Sequence, residues 1–407
     1  MISVCSFGCV SHDPIVPPSA HTVKVYLLAG EPSGDKLGAA LMAGLKELRP
    51  DVEFRGVAGP LMIAEGMTSL FPMDELSVMG ISEVLPKYPE LKRRPREDAD
   101  DCVAWQPDVL LTIDSPDFSL RLAKLVKEAS NARTVHYVAP SVWAWRSGRA
   151  AKMARNIDHV LALLPFEPPY MEAVGMTCDF VGHPVVSEPV ASDEEAAEFR
   201  VNEGIGDAPI VLVLPGSRRA EVGRLAPVFG EALRLVIART PNARVVVPAA
   251  APVASAVLQA VENWPGDPVV LDPRSDPSAA ARKRAAFRAA DVALAASGTV
   301  SLELAAAGSP MVIAYDMSWL SWQIMSRMAK IDTVTLANLV TGRKAVPEYL
   351  GPDCTPTNVG NALSALLTNE SDRIAQKTAM DETMVALGRG GEPPGLRAAR
   401  SVLEFLG

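Results

Sequence analysis

Asp114 stands at the end of the apolar run Val109–Ile113, where a carboxylate is costly unless it is paired or used. Partial burial raises a carboxyl pKa toward the working range of a general base, and that is one reading of Asp114; a cap or a salt bridge is the other. Asp117 is expected to cap a helix starting near Phe118. A second apolar run, Val23–Ala29, leads into Gly30-Glu31-Pro32-Ser33-Gly34-Asp35. The glycines permit a tight turn and close approach to the backbone. Glu31 and Asp35 make this loop a poor diphosphate cradle. It reads either as a site for acceptor hydroxyls, through Glu31, Ser33 and Asp35, or as a plain strand–helix turn capped by Asp35.

Cationic and amide-rich loops occur in the second half. Leu214-Pro215-Gly216-Ser217-Arg218 runs from a strand through a turn to an arginine, offering backbone amides and a guanidinium to a diphosphate. Ser297-Gly298-Thr299 can open a helix whose amides hold a phosphate, and Glu303, one turn later, is placed to accept two ribose hydroxyls. A capping box from Thr299 to Glu303 is the structural alternative. Trp143 and Trp145, followed by Arg146 and Arg149, read as a sugar or acyl platform with cations for phosphate, or as core packing. His136 is expected to be an interior histidine. His183, in Gly182-His183-Pro184, is placed at the cleft mouth or in a simple turn.

The elements that must position these residues are legible as alternation. Strands are expected at Val23–Ala29, Phe54–Val57, Val109–Ile113, Thr134–Val138 and His159–Leu163, with helices at Asp35–Leu48, Leu120–Ala129 and Ala150–Asn156. After a polar, acidic stretch at Glu188–Gly206, a second series follows: Ile210–Leu214, Ala243–Val247, Val269–Leu271, Val292–Ala295 and Met311–Tyr315. Continuous apolar strands between helices imply parallel sheets covered on both faces. The expected fold is therefore α/β, two doubly wound Rossmann-like domains, with ligands at the carboxyl ends of the strands. The expected boundaries are an irregular N-terminal extension (1–21), a first α/β domain (22–187), a second α/β domain (188–365) and C-terminal helices (366–407).

Composition narrows the function. A net charge of −9 disfavours a general nucleic-acid binder, and 48% hydrophobic residues suit substantial cores rather than disorder. The five cysteines form no zinc-spaced pair or disulfide framework, pointing to a reducing cytoplasm. No apolar run approaches the ~18–20 residues of a membrane span, and residues 1–21 lack the basic and apolar regions of a signal peptide.

Together the motifs resemble lipid-A-disaccharide synthases, from about Val23 to Leu367. The resemblance rests on Gly30–Asp35, Gly56–Pro60, Val78–Ile81 with Glu83–Leu85, Ile113–Phe118, Pro140–Arg146, Leu164–Glu167, Leu214–Arg218, Ala296–Glu303, and Leu336–Leu339 with Gly342-Arg343. It implies a GT-B-like glycosyltransferase fold. The implied donor is UDP-2,3-diacylglucosamine and the acceptor 2,3-diacylglucosamine 1-phosphate, joined with inversion into a β-1,6-linked disaccharide phosphate. It further implies Asp114 as base, Arg218 as diphosphate ligand, Glu303 at the ribose, Asn338 and Arg343 in a nucleotide loop, and a homodimer exchanging C-terminal segments. Ala337 and Ser119 depart from the family's usual proline and asparagine. No acidic pair is presented as a metal site, so neither metal nor cofactor is expected.

Acylated substrates require access to an anionic inner-membrane surface by a peripheral protein. The stretch Met73–Arg96 suits docking, with apolar Val78, Met79 and Ile81 before basic Lys92, Arg93, Arg94 and Arg96; a core helix with a solvated basic end is its alternative. The rival functions are a UDP-N-acetylglucosamine 2-epimerase and a non-catalytic lipid-binding protein on the same architecture.

Overall fold

The computed structural model describes residues 21–76, 81–146 and 148–407, with backbone alone for residues 81–92 and 320. The expected segments 1–20 and 77–80, including Val78 and Met79, lie outside the described residues.

Two six-stranded parallel sheets organise the chain. The first contains β1 (Lys24–Ala29), β2 (Glu53–Val57), β3 (Val109–Ile113), β4 (Arg133–Tyr137), β5 (His159–Ala162) and β6 (Thr177–Phe180), in the order β2-β1-β3-β4-β5-β6. The second contains β7 (Ile210–Leu214), β8 (Arg244–Pro248), β9 (Val269–Leu271), β10 (Val292–Ala296), β11 (Met311–Tyr315) and β12 (Glu348–Leu350), in the order β12-β11-β10-β7-β8-β9. Every strand pair is parallel. Val109–Ile113, Ile210–Leu214 and Val292–Ala296 are buried at every position, as strands covered by helices on both faces must be.

The strand order fixes where a ligand goes. In the first sheet the chain moves outward from β1 to β2, then returns to place β3 on β1's other side. In the second sheet, β7 and β10 have the same relation. Such reversals leave a crevice beyond the carboxyl ends of the two central strands. The strand-end segments there are Gly30–Asp35, whose helix begins at Pro32, and Asp114–Asp117, whose helix begins at Pro116, in one half, and Pro215–Arg218 and Ser297–Thr299 in the other.

Two strands, β6 and β12, were not expected. Both are short edge strands, and β6 alternates exposed and buried positions without an apolar run. The polar stretch around 188–206 holds a helix, Asp193–Asn202, opened by a capping box of Ser192 and Glu195. The C-terminal helices divide their allegiance. Glu370–Ala386 lies on the second half, where Gln376 Nε2 donates to the Met311 carbonyl at 3.1 Å. Pro394–Leu406 returns to the first half, and its Ala398, Ala399 and Val402 join that half's core. The two chain crossings between halves are joined, His183 N donating to the Leu387 carbonyl at 3.0 Å.

Candidate functional site

Asp114 and Ser115 both have left-handed backbones, with φ of 52° and 45°. Consecutive non-glycine residues in this region carry strain that the surroundings must enforce. They do: Asp114 N donates to the Tyr137 carbonyl at 3.0 Å, and Ser119 Oγ donates to the Asp114 carbonyl at 2.7 Å. The kink ends β3 and leaves the Asp114 carboxylate half-buried, with Oδ1 accepting from Ser115 N at 2.9 Å. The helix begins at Pro116, earlier than Phe118, so Asp117 lies in its first turn and Ser115 takes the cap position. The loop after β1 comes against this kink closely enough that a β-carbon on Gly30 would sit 2.6 Å from Ser115 Oγ.

Glu31 connects the halves electrostatically. Burial raises its carboxyl pKa above the usual carboxylate range, the Asp114 charge raises it further, and Arg218 from the other half offsets part of the rise. One half-buried carboxyl thus feels both the base candidate and the diphosphate candidate. Ser33 is exposed at the same loop. Asp35 is not an acceptor contact. Its buried carboxylate accepts from Gly59 N, Leu61 N and Met62 N at 3.0, 2.9 and 3.0 Å, capping the helix Pro60–Ala64. Both oxygens are engaged by amides and the side chain is only 2% exposed, so it presents nothing to a sugar.

In the second half a cleft of about 440 Å³ is lined by Gly216, Ser217, Arg218, Glu221, Ser297, Gly298, Thr299, Glu303 and Lys283, among others. Gly216 must be glycine: its φ is 119°, and a β-carbon would meet Glu221 Oε2 at 2.7 Å. Glu221 qualifies the expectation for this loop. It already holds the Ser217 and Arg218 amides at 3.1 and 3.3 Å and the Arg218 guanidinium at 2.9 Å. An incoming diphosphate therefore competes with an internal carboxylate, while Arg218 itself stays largely exposed. On the facing wall, the helix Val300–Ala307 opens at Thr299 without any side-chain cap. Its first amides carry the partial positive charge of a helix start. The alternative capping box is not formed: Glu303 Oε2 instead accepts from Lys283 Nζ at 2.7 Å. Lys283 escaped the sequence reading because its run, Ala-Arg-Lys-Arg-Ala-Ala-Phe, looks like an ordinary solvated helix face. It also joins this cleft to a second cavity of about 300 Å³ that reaches Lys36 and Glu188.

Other expected contacts are taken up elsewhere. Asn338 is buried and spends both faces of its amide on the chain: Oδ1 accepts from Val346 N and Nδ2 donates to the Val346 carbonyl, both at 2.9 Å. It braces its own loop. Arg343 pairs with Glu382, and neither Asn338 nor Arg343 lines the cleft. Trp143 is half-buried between the halves, edge-on to Phe166, its Nε1 donating to Glu167 Oε1 at 3.1 Å. Its place is packing, not an open platform. Arg146 is exposed and stacks on Trp145, 4.2 Å from the ring centroid. His136 is interior, as expected, with Nδ1 2.8 Å from Thr112 Oγ1, and burial pushes its pKa down to about 4. Burial does the same to His183, whose Nδ1 accepts from Val185 N at 3.2 Å. It shapes the crossing between halves. Glu167 escaped notice as well: burial pushes its carboxyl up to about 7.

The basic stretch is partly consumed. Arg94 folds onto Glu75 at 2.5 Å and over the Phe71 ring at 4.3 Å, while exposed Arg93 pairs with Glu97 at 2.9 Å. Arg94 is therefore no free docking cation. Ile81 and Lys92 lie in the long helix Ile81–Trp105, without described side chains. No helix among the described residues is long and apolar enough to cross a membrane.

Two Rossmann-like domains meeting at their strand-end loops define a protein of the GT-B type. Solved structures agree on that fold. UDP-GlcNAc 2-epimerase from Neisseria meningitidis bound to UDP-GlcNAc has a TM-score of 0.57 at 11% identity, over 95% of this chain and 99% of that one. MurG from Acinetobacter baumannii has a TM-score of 0.55 at 14% identity, over 95% and 99%. Sequence similarity is far more specific. The lipid-A-disaccharide synthetase family profile matches residues 25–392. The lipid-A-disaccharide synthase of Ruegeria pomeroyi is 62% identical over 395 residues, covering 97% of this chain and 98% of that one. The chain belongs to the lipid-A-disaccharide synthetase family.

Proposed function

We propose that the chain transfers 2,3-diacylglucosamine from UDP-2,3-diacylglucosamine to 2,3-diacylglucosamine 1-phosphate, releasing UDP and the β-1,6-linked disaccharide 1-phosphate with inversion. The observation carrying this reading is that the strand-end elements of the two halves meet: Lys36, in the helix after β1, reaches Glu188 at 2.7 Å in a cavity whose Lys283 and Glu303 also line the cleft of Arg218. Family membership supplies the substrate class.

In this reading the acceptor's 6-hydroxyl oxygen attacks the donor's anomeric carbon as the bond to UDP breaks. Asp114 takes the hydroxyl proton. Glu31, whose pKa burial and the Asp114 charge raise, holds a hydroxyl of the acceptor beside Asp114. Charge developing on the diphosphate falls to the Arg218 guanidinium, drawn from Glu221, and to the amides opening the helix Val300–Ala307. Glu303, steadied through one oxygen by Lys283, keeps the other for the ribose hydroxyls. Charge neutralisation by these groups predicts turnover that a chelator does not reduce.

The substrates' acyl chains bring the protein to the cytoplasmic face of the inner membrane as a peripheral protein. On the first half, Arg93 and the helix Ile81–Trp105 are the available part of the expected docking stretch.

Labelled donor tests the transfer. Label should pass into a lipid disaccharide only when the acylated acceptor is added. Release of an epimerised sugar nucleotide without acceptor would favour the epimerase chemistry of the fold relatives instead.

A further inference from the structure

The acceptor in the proposed reaction is itself an anion, yet the first half meets it with carboxylates. Glu31, Asp114 and Asp117 stand in the strand-end segments after β1 and β3. A sugar phosphate brought against them needs a cationic partner. Lys36, just beyond the first of these segments, is spent on Glu188 at 2.7 Å. Among the described strand-end loops of this sheet, only the one after β4 supplies arginine or lysine. Arg146 lies in that loop, and Arg149 in the first turn of the helix Gly148–Met153 that follows it.

This loop is held under constraint. Val138, at its start, has a φ of 88°, and Arg146, at its end, a φ of 48°. Left-handed backbone at a β-branched residue and at an arginine is strained, and the surroundings must enforce it. Val138 N donates to the Leu161 carbonyl at 3.0 Å, and the Ala144 carbonyl accepts from Lys330 N of the opposite half at 3.0 Å. Arg149 N donates to the Arg146 carbonyl at 3.0 Å, setting the two arginines one turn apart. The Arg146 guanidinium is steadied over the Trp145 ring. Arg146 is exposed and Arg149 half-buried, and neither has a carboxylate partner among the described residues. From 139 to 157 the chain holds four cations, Arg146, Arg149, Lys152 and Arg155, and no carboxylate. The nearest carboxylates along the adjoining segments are already committed: Asp158 to Lys127 and to Thr134 N at 3.1 Å, and Asp332, beyond Lys330, to Lys344 at 3.0 Å.

The placement suits the far end of a hexose held at Asp114. β3 and β4 are paired, Ile113 against Tyr137, and Asp114 N donates to the Tyr137 carbonyl. Neighbouring strands lie about 4.8 Å apart, comparable to the breadth of a sugar ring. An acceptor whose 6-hydroxyl reaches Asp114 can therefore extend its anomeric end toward the loop after β4. We infer that Arg146 and Arg149 form the subsite for the acceptor's 1-phosphate and make the first half selective for a phosphorylated sugar. The inference rests on the transfer proposed above. Charge-assisted hydrogen bonds from the two guanidiniums hold the phosphate oxygens, and so place the 6-hydroxyl at the other end of the ring. An anionic lipid headgroup offers the same phosphate chemistry, and the experiment separates the two.

Turnover of the full chain is measured in detergent micelles with the phosphorylated acceptor and with 2,3-diacylglucosamine lacking the phosphate. Partitioning is measured on phosphatidylglycerol/phosphatidylcholine vesicles. Wild type should prefer the phosphorylated acceptor. Arg146→Ala/Arg149→Ala should lose roughly a hundredfold in kcat/KM for that acceptor, mainly through KM, and little for the unphosphorylated one. Its UDP affinity should stay at the wild-type value, which also shows that it folds. Arg146→Lys/Arg149→Lys, keeping the charge but not the planar fork, should recover part of the loss. Equal losses with both acceptors, or a parallel loss of UDP affinity, overturn the inference, as does a wild type indifferent to the phosphate. A double-alanine variant that keeps its acceptor preference but leaves the vesicles assigns the arginines to lipid headgroups and overturns it too. A wild type that transfers to neither acceptor sinks the transfer reading itself.

Discussion

The two halves share a topology but carry opposite charge at corresponding places. Each has a switch point between two central strands, and each places two loops beyond it. In the first half those loops present Glu31 and Asp114; in the second they present Arg218 and an uncapped helix start. The backbone solutions differ as well. The first half forces two non-glycine residues into left-handed φ at Asp114 and Ser115, whereas the second uses Gly216 and Gly298. The fold decides where a ligand lies. In the proposed reading, the side chains let one half remove a proton while the other receives the departing UDP.

If the labour is divided in this way, substitutions in the two halves should fail differently. Asp114→Asn should lower kcat by about 10²–10⁴, the range for losing a positioned base, with little change in donor KM. Arg218→Ala should cost about 10² in kcat/KM and weaken UDP itself; steady-state kinetics and UDP competition measure both. Lys283→Gln should act more gently. Glu303 stays but is no longer held, so the preference for UDP over 2′-deoxy-UDP should fall several-fold while thermal stability changes little. Unaltered discrimination would remove Lys283 and Glu303 from ribose recognition.

The smallest expected effect sharpens the comparison at the boundary. Glu167 joins Trp143 to the Leu164 amide between the halves, and burial holds its pKa near 7, above its unfolded value. A raised carboxyl pKa means the folded state binds the proton more tightly. Its stabilising contribution is full below about 4.5 and is lost as pH rises through about 7. Melting profiles of Glu167→Gln should lack that decline between pH 4.5 and 8. A wild-type slope in the variant would assign the decline to another group.

Much of this arrangement was legible in the sequence because central strands are buried on both faces and so read as continuous apolar runs. Asp114 could be singled out because it directly follows such a run, and Arg218 because it follows one through a Pro-Gly-Ser turn. Edge strands β6 and β12 lack that signal. The partners of side chains were hidden for a different reason: they are set by tertiary contact. Nothing near Asp35 in the chain announces that it caps a helix beginning at Pro60. Asn338 likewise shows its occupation only once Val346 is brought against it, and Glu303 gains Lys283 across a helix pair. The Glu221 carboxylate was in plain view three residues after Arg218, but its hold on the amides depends on the turn at Gly216.

UDP titration calorimetry on Asp114→Asn beside Arg218→Ala tests the division of labour most directly. Asp114→Asn, despite its lost turnover, should bind UDP within about twofold of wild type, and Arg218→Ala should bind at least tenfold more weakly. Equal weakening of UDP by both substitutions, or undiminished turnover in Asp114→Asn, would contradict a base from one half acting against a phosphate clamp from the other.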